Sequence, residues 1–268
     1  MHALKYMNSL KQTLLVVLMT FGASVVAMLL QAVLPAPVLA ESKGAVGAMV
    51  GLVTLLLALV LGFLVFTAFS VFSTQQSEAQ SLGPLVIELD LALERYGSDG
   101  ANGRAGLRAA LERSRARFFG DVHRGPQPWT FEETRATLRG LSGYFDSLNP
   151  VTDRQHQSLA EARDLVKRFN DTQMLMARQL ANPFPPYVLS VVVCWASALF
   201  FGNGLVAVVN PVTVIAHLAG AASIGSAIFL ILELSQPYTG LVRLSSAGID
   251  RLLQVLTEIE AKRTVSST

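Results

Sequence analysis

Charge is missing from three stretches of the chain and dense between them. No Asp, Glu, Lys or Arg occurs over residues 12–40, 44–77 or 187–232. A hydrocarbon layer of ~30 Å is crossed by about 20 apolar helical residues, so each of the first two stretches predicts one crossing. The third is about twice that length and is punctuated by Gly202-Asn203-Gly204 and Asn210-Pro211, so it predicts two. The first helix is expected over 14–34, ended by Pro35 and Pro37, which lack the amide donor a helix needs. A loop is expected over 34–43, then a second helix over 45–72. The third is expected over 187–201. The fourth opens with Asn210 as N-cap and Pro211 at the first helical position, and runs to 234. Gly47 with Gly51, Ala221 with Gly225, and Ala222 with Ser226 place small residues four apart, a spacing that lets helix backbones approach closely in lipid.

The polar stretch over 74–184 reads as helical. Leu82, Leu85, Val86, Leu89 and Leu93 fall at helical spacing, so the second helix is expected to continue into water as a longer rod. A break is expected over 97–103 and a helix over 105–118, with Pro126 and Pro128 marking a loop. Thr130 with Glu133, and again Thr152 with Gln155, carry the capping-box signature of a helix start. The last of these helices is long, reaching 181 before Asn182-Pro183. Its Leu159, Ala162, Val166, Phe169, Gln173, Met176 and Leu180 alternate in steps of three and four. That seam, interrupted by the polar Gln173, fits a coiled coil or the core face of a helical bundle equally well. Beyond Pro237, Ile249, Leu252, Leu253, Leu256 and Ile259 line one side of an amphipathic tail helix, suited to a membrane surface or a partner.

The expected fold is therefore all-α and integral to a membrane. Four transmembrane helices form two hairpins, with a cytoplasmic helical insertion between the second and third. The divisions are 1–73 and 185–236 for the hairpins, 74–184 for the insertion and 237–268 for the tail. Composition agrees, with 51% hydrophobic and 15% charged residues, against roughly 25% charged in a soluble domain. Lys5 and Lys11 precede the first helix, and Arg243, Arg251, Lys262 and Arg263 follow the fourth. The opposite side carries only Glu41 and Lys43. The positive-inside rule places both termini and the insertion in the cytoplasm, in a multi-pass protein of the inner membrane. The first apolar run, with Val38-Leu39-Ala40 after it, also admits a cleavable signal peptide. Its length exceeds the 7–15 residues of a typical signal core, which favours a retained helix. A net charge of +2 without a basic cluster gives no reason to expect nucleic acid.

Catalytic chemistry is hard to find. His2, His123, His156 and His217 have no partner at metal-ligand spacing, and no phosphate loop, nucleophile elbow or zinc-protease pattern occurs. The lone Cys194 lies in an apolar run, where a small buried hydrophobe is the expected role. No enzyme activity, cofactor or metal is expected; the partners expected are the lipid bilayer and further copies of the chain. Three features carry functional weight. Glu233 is an ionisable group in the last turn of the fourth helix, within reach of the water interface. His217 lies near the start of the same helix. Phe63, Phe66, Phe69 and Phe72 descend the second helix in steps of three, each turned about −60° from the last. Adjacent pairs of them suit a hydrophobic constriction in a pore, or packing against lipid and other helices.

Several segments together resemble the bacterial bestrophin-like family. They are Val60-Leu61-Gly62, Phe72-Ser73-Thr74-Gln75-Gln76-Ser77-Glu78, and the run from Leu89 to Tyr96-Gly97. Trp195, Phe200-Phe201 and Gly204-Leu205 follow. The strongest is Phe229-Leu230-Ile231-Leu232-Glu233-Leu234-Ser235-Gln236-Pro237-Tyr238, trailed by Gly240-Leu241 and Ser245-Ser246. The likeness spans nearly the whole chain. It departs from the family at Ser73 and Ser235, where aspartate is usual. The resemblance implies a remote kinship with pentameric anion channels lined by one helix per subunit, hence a homo-oligomeric ion channel. The competing reading is a non-conducting scaffold or sensor acting through the cytoplasmic helices.

Overall fold

The computed structural model describes residues 3–119, 143–181, 186–238 and 241–266. Helices α1 (Ala3–Val33), α2 (Ala36–Tyr96), α3 (Gly100–Phe119), α4 (Asp153–Ala181), α5 (Pro186–Val206), α6 (Pro211–Leu234) and α7 (Ala247–Ser266) account for most of these. Residues 143–147 are also helical, and no strand occurs among the described residues. Four helices, α1, α2, α5 and α6, are long and apolar enough to cross a membrane.

The loop expected over 34–43 shrinks to Leu34 and Pro35. Pro35 sits at the N-cap of α2 in extended conformation, with φ −61° and ψ 133°, and Pro37 falls in the first turn. A first-turn amide has no intrahelical partner, so proline there loses nothing. The prolines that end α1 therefore also open α2, and Glu41 and Lys43 are helical. From there α2 runs 61 residues without interruption, through Pro84, to Tyr96. The break after it is confined to 97–99, around Gly97 at φ +109°, where a residue without Cβ is favoured.

The other correction concerns Gly202-Asn203-Gly204. These residues lie inside α5, and no break occurs before Val206. Their role is proximity. A Cβ on Gly204 would stand 2.6 Å from the Ser24 carbonyl oxygen of α1, and one on Gly202 would stand 2.5 Å from Val50 Cγ2 of α2. Gly225 of α6 is likewise pressed against Val17 of α1. Small residues thus let α5 and α6 seat against α1, and α5 against α2. Gly47 and Gly51 behave otherwise, because an added Cβ at either would meet nothing within 4 Å. Among the four apolar helices, those joined in sequence are not the ones that pack. α1 and α2 each lie against α5 and α6, while α5 meets α6 only slightly and α1 with α2 at most glancingly.

Two hydrophobic cores result. The first, in the apolar bundle, gathers Val16, Leu57, Leu64, Ala68, Val192, Ala196, Ile228 and Ile231. The second gathers Leu82, Val86, Leu89 and Leu93 of α2 with Leu107 and Leu111 of α3 and the α4 seam. Leu159, Ala162, Val166, Phe169, Gln173 and Met176 are all buried, so the seam is a bundle face packed on α2. Leu180 has no described side chain. The Thr152–Gln155 capping box forms, with the Gln155 amide on Thr152 Oγ1 at 3.3 Å and the Thr152 amide on Gln155 Oε1 at 3.2 Å. The Thr130–Glu133 box lies outside the described residues. The tail helix α7 rests on its own chain: Ile249 is buried, and Leu252, Leu253 and Leu256 pack on the second core. Asp250 of α7 pairs with Arg115 of α3 and accepts from Ser246 at 2.8 Å.

Candidate functional site

The second helix belongs to both cores, and its two sides differ in kind. Leu57, Leu64, Ala68 and Gln75 form the buried stripe, at steps of seven and four. On the opposite side Phe63, Phe66 and Phe69 are 66%, 68% and 55% exposed. Leu55 and Leu59 share that side, each 71% exposed, and the open glycines Gly51 and Gly62 interleave with them. Phe72 departs from the series, being half-buried against the first core. The four phenylalanines therefore divide, three turned outward and one inward. Thr54 and Thr67 return their hydroxyls to the carbonyls four residues back, at 2.7 and 2.8 Å. That spares the helix any unpaired hydroxyl along this length.

Below the phenylalanines, at the level where one core gives way to the other, a buried polar cluster ties three segments. Gln75 is fully buried. Its Nε2 donates to the Met176 carbonyl of α4 at 3.3 Å and also to Gln179 Oε1. Its Oε1 accepts from the Tyr238 hydroxyl at 2.9 Å. Gln179 Nε2 in turn donates to Glu78 Oε1 at 2.9 Å. The Tyr238 ring lies 5.6 Å from Phe118 and 5.2 Å from Phe119 of α3, the latter edge-on. Burial pushes the Tyr238 phenol well above its usual range, and the nearby Glu78 carboxylate adds to the push. Burial also raises Glu78, partly offset by the Gln179 hydrogen bond. Glu78 Oε2 is buried with no hydrogen-bond partner. Hydrogen bonds among amide, phenol and carboxyl groups thus hold α2, α4 and the turn after α6 together at this level.

The two ionisable candidates in α6 occupy different settings. Glu233 is 2% exposed, and its Oε2 accepts the Leu241 amide, so it pins the turn that follows α6. The Leu244 amide on the Pro237 carbonyl at 2.7 Å closes the same turn. His217 is half-buried, with Nδ1 2.8 Å from the Thr213 carbonyl and its ring edge-on to Phe200 at 6.1 Å. The structure does not bring His217, Glu233 and the phenylalanines together. Ser73 is exposed, while Ser235 returns its hydroxyl to the Ile231 carbonyl at 2.5 Å. Cys194 is exposed on the outer side of α5 and is not the buried hydrophobe expected. Among the described residues, no group of three or more His, Cys, Asp or Glu is placed to hold a metal ion.

Sequence reasoning did not assemble Gln75, Gln179 and Tyr238. One signal was available for Gln75, a polar residue seven positions after Ala68 on the buried stripe of α2.

A family model described as Bestrophin-like domain matches residues 17–249. No curated protein and no solved structure matches the chain.

Proposed function

The chain belongs to the bestrophin-like family, and from that premise we propose that it is a homo-oligomeric ion channel, with anions as the expected permeant species. In this reading α1, α5, α6 and the apolar part of α2 span the inner membrane. Both termini and residues 74–184 lie in the cytoplasm. Four helices of one chain enclose no lined aqueous path, so conduction takes several copies around an axis. The α2 faces line that path, and Phe66 or Phe69 narrows it, closing it by dewetting.

The observation that carries the reading is the outward side of α2. It presents Phe63, Phe66 and Phe69 with open glycines, and none of the described helices covers it. The second reading, a non-conducting scaffold or sensor, draws support from Ile87 and Leu91, 47% and 48% exposed one turn apart on the aqueous part of α2.

The test combines proximity with current. With Cys194→Ala as background, Phe66→Cys is oxidised in native membranes beside Val212→Cys, an outward position on α6. Cross-linking at Phe66 alone is expected, as are currents from the purified protein in planar bilayers. Phe66→Ala or Phe69→Ala should raise open probability. Cross-linked oligomers with silent bilayers would favour the scaffold. No cross-link at Phe66 would turn this face of α2 to lipid.

A further inference from the structure

A groove of about 390 Å³ runs between α2 and α5, at the level where α2 begins and α5 ends. Its walls include Ala45, Val46, Met49 and Val53 of α2 with Ala198 and Leu205 of α5, and no charged or polar side chain is among the described lining residues. The two helices touch at Gly202, where a Cβ would stand 2.5 Å from Val50 Cγ2 and 3.8 Å from Val46 Cγ1. Gly202 is buried, so this contact forms the floor. Ala45, Met49 and Ala198 are exposed along the rim.

From Ala45 to Val53 the groove follows about 12 Å of helix axis, within half of a ~30 Å hydrocarbon layer. An acyl chain of one leaflet lies alongside a gap placed so. Apolar walls with nothing between them forfeit dispersion contacts that such a chain restores.

The charge above the groove is one-sided. Lys43 precedes Val46 by three residues and Val50 by seven, so it shares their stripe of α2 one turn nearer water. Its side chain is exposed. Glu41, two residues before it, is turned about 160° away around the helix. At the end of α5, Gln31 Nε2 donates to the Leu205 and Ala207 carbonyls at 3.2 and 3.0 Å. Two carbonyl oxygens that would repel an anion at this mouth are thereby occupied.

A second copy would approach from elsewhere. Val46 lies 20 residues before Phe66, about 160° around α2 from it. Copies that meet across the phenylalanine side therefore leave the groove to lipid.

We propose that the groove holds one acyl chain of an anionic phospholipid, with the head phosphate on Lys43. The site depends on α2 and α5 crossing the bilayer, as in the reading above, and not on conduction.

In the experiment the full chain, purified in detergent, is given dioleoylphosphatidylglycerol or dioleoylphosphatidylcholine, and retained lipid is counted by native mass spectrometry. One phosphatidylglycerol per chain should be retained, about fivefold more tightly than phosphatidylcholine, the effect of one lysine at a membrane surface. Lys43→Gln should erase that preference, and Glu41→Gln should leave it intact. Ala198→Phe and Ala45→Phe each fill the groove from an exposed alanine. Either should remove the retained lipid while helix content by circular dichroism is unaltered. Met49→Cys in a Cys194→Ala background should give no cross-link when native membranes are oxidised. No retained lipid, equal retention of the two lipids, a preference that survives Lys43→Gln, or retention that survives both alanine replacements would each overturn the proposal. So would a cross-link at Met49, which seats a second copy in the groove. None of these readouts requires current, so silent bilayers would count against the channel alone.

Discussion

The Tyr238 hydroxyl donates to Gln75 Oε1 at 2.9 Å, joining residues 163 positions apart. One belongs to the rod that passes through both cores, the other to the turn leaving the last apolar helix. Tyr238→Phe conserves volume and strands a buried acceptor, at a cost of about 1–3 kcal/mol. The expected result is a thermal midpoint lowered by several degrees in detergent. Gln75→Leu should cost more, since it leaves both the Tyr238 hydroxyl and Gln179 Oε1 without their Gln75 partner. The double variant should cost less than the two losses added, because the residues share one bond. An unchanged midpoint for Tyr238→Phe would remove this contact from the stabilising set.

Glu78 gives the junction a pH dependence whose sign is fixed by the direction of its shift. Burial raises its pKa in the folded chain. The stability this group contributes is therefore complete below the unfolded carboxyl range and is lost as pH rises through the folded value. Glu78→Gln keeps an acceptor for Gln179 and removes the titration. Unfolding midpoints from pH 4 to 8 should rise less steeply toward acid in this variant than in the parent. The gain at neutral pH should stay below about 1 kcal/mol, since the carboxylate is partly screened by water. Asp250 runs the other way: Arg115 and Ser246 hold its pKa down, so its share is lost as pH falls. A variant curve parallel to the parent's would show that Glu78 does not titrate in this window.

Glycines should sort by their surroundings. Gly204→Ala puts a methyl group against the Ser24 carbonyl, and overpacking of this kind costs about 1–3 kcal/mol. Gly51→Ala meets nothing within its own chain, so the monomer's thermal midpoint should hold or rise. If copies meet across that face, Gly51→Leu should shift the oligomer distribution on a sizing column while the helical signal stays intact. Equal destabilisation by Gly204→Ala and Gly51→Ala would contradict the packing described.

The proposed topology has a direct readout. Alkaline phosphatase fused after Lys43 should be active, and fused after Glu112 inactive, since only the first lies outside the cytoplasm in this reading. The reverse pattern would invert the protein in the membrane.

Much of the fold was legible because its signals are local. Asn210 caps α6 as its sequence suggests, with Oδ1 accepting the Thr213 amide at 2.8 Å. The Thr152–Gln155 box and the α4 seam also followed from spacing within one helix. Pro35 and Gly202-Asn203-Gly204 misled for a shared reason. Proline both ends and opens helices, and glycine both breaks helices and lets them touch, so the outcome depends on neighbours distant in sequence. The Gln75–Tyr238 contact was invisible on the same ground. For the phenylalanine series, what could not be read was which side of α2 its own chain would cover.

The continuity of α2 has a mechanical consequence. At about 1.5 Å per residue the helix is a rod roughly 90 Å long. Gln75, tied to α4 and to the turn after α6, makes a natural fulcrum for it. Tyr96 stands about 31 Å from that point on one side, and Phe66 about 14 Å on the other. A rigid rocking that displaces Tyr96 by ~3 Å swings Phe66 by ~1.3 Å the opposite way. The compliant spot is Pro84, whose missing amide leaves a gap in the backbone ladder. It sits between the fulcrum and Tyr96, so flexing there diminishes the motion before it reaches the fulcrum, and the stretch bearing the phenylalanines moves as one stiff piece.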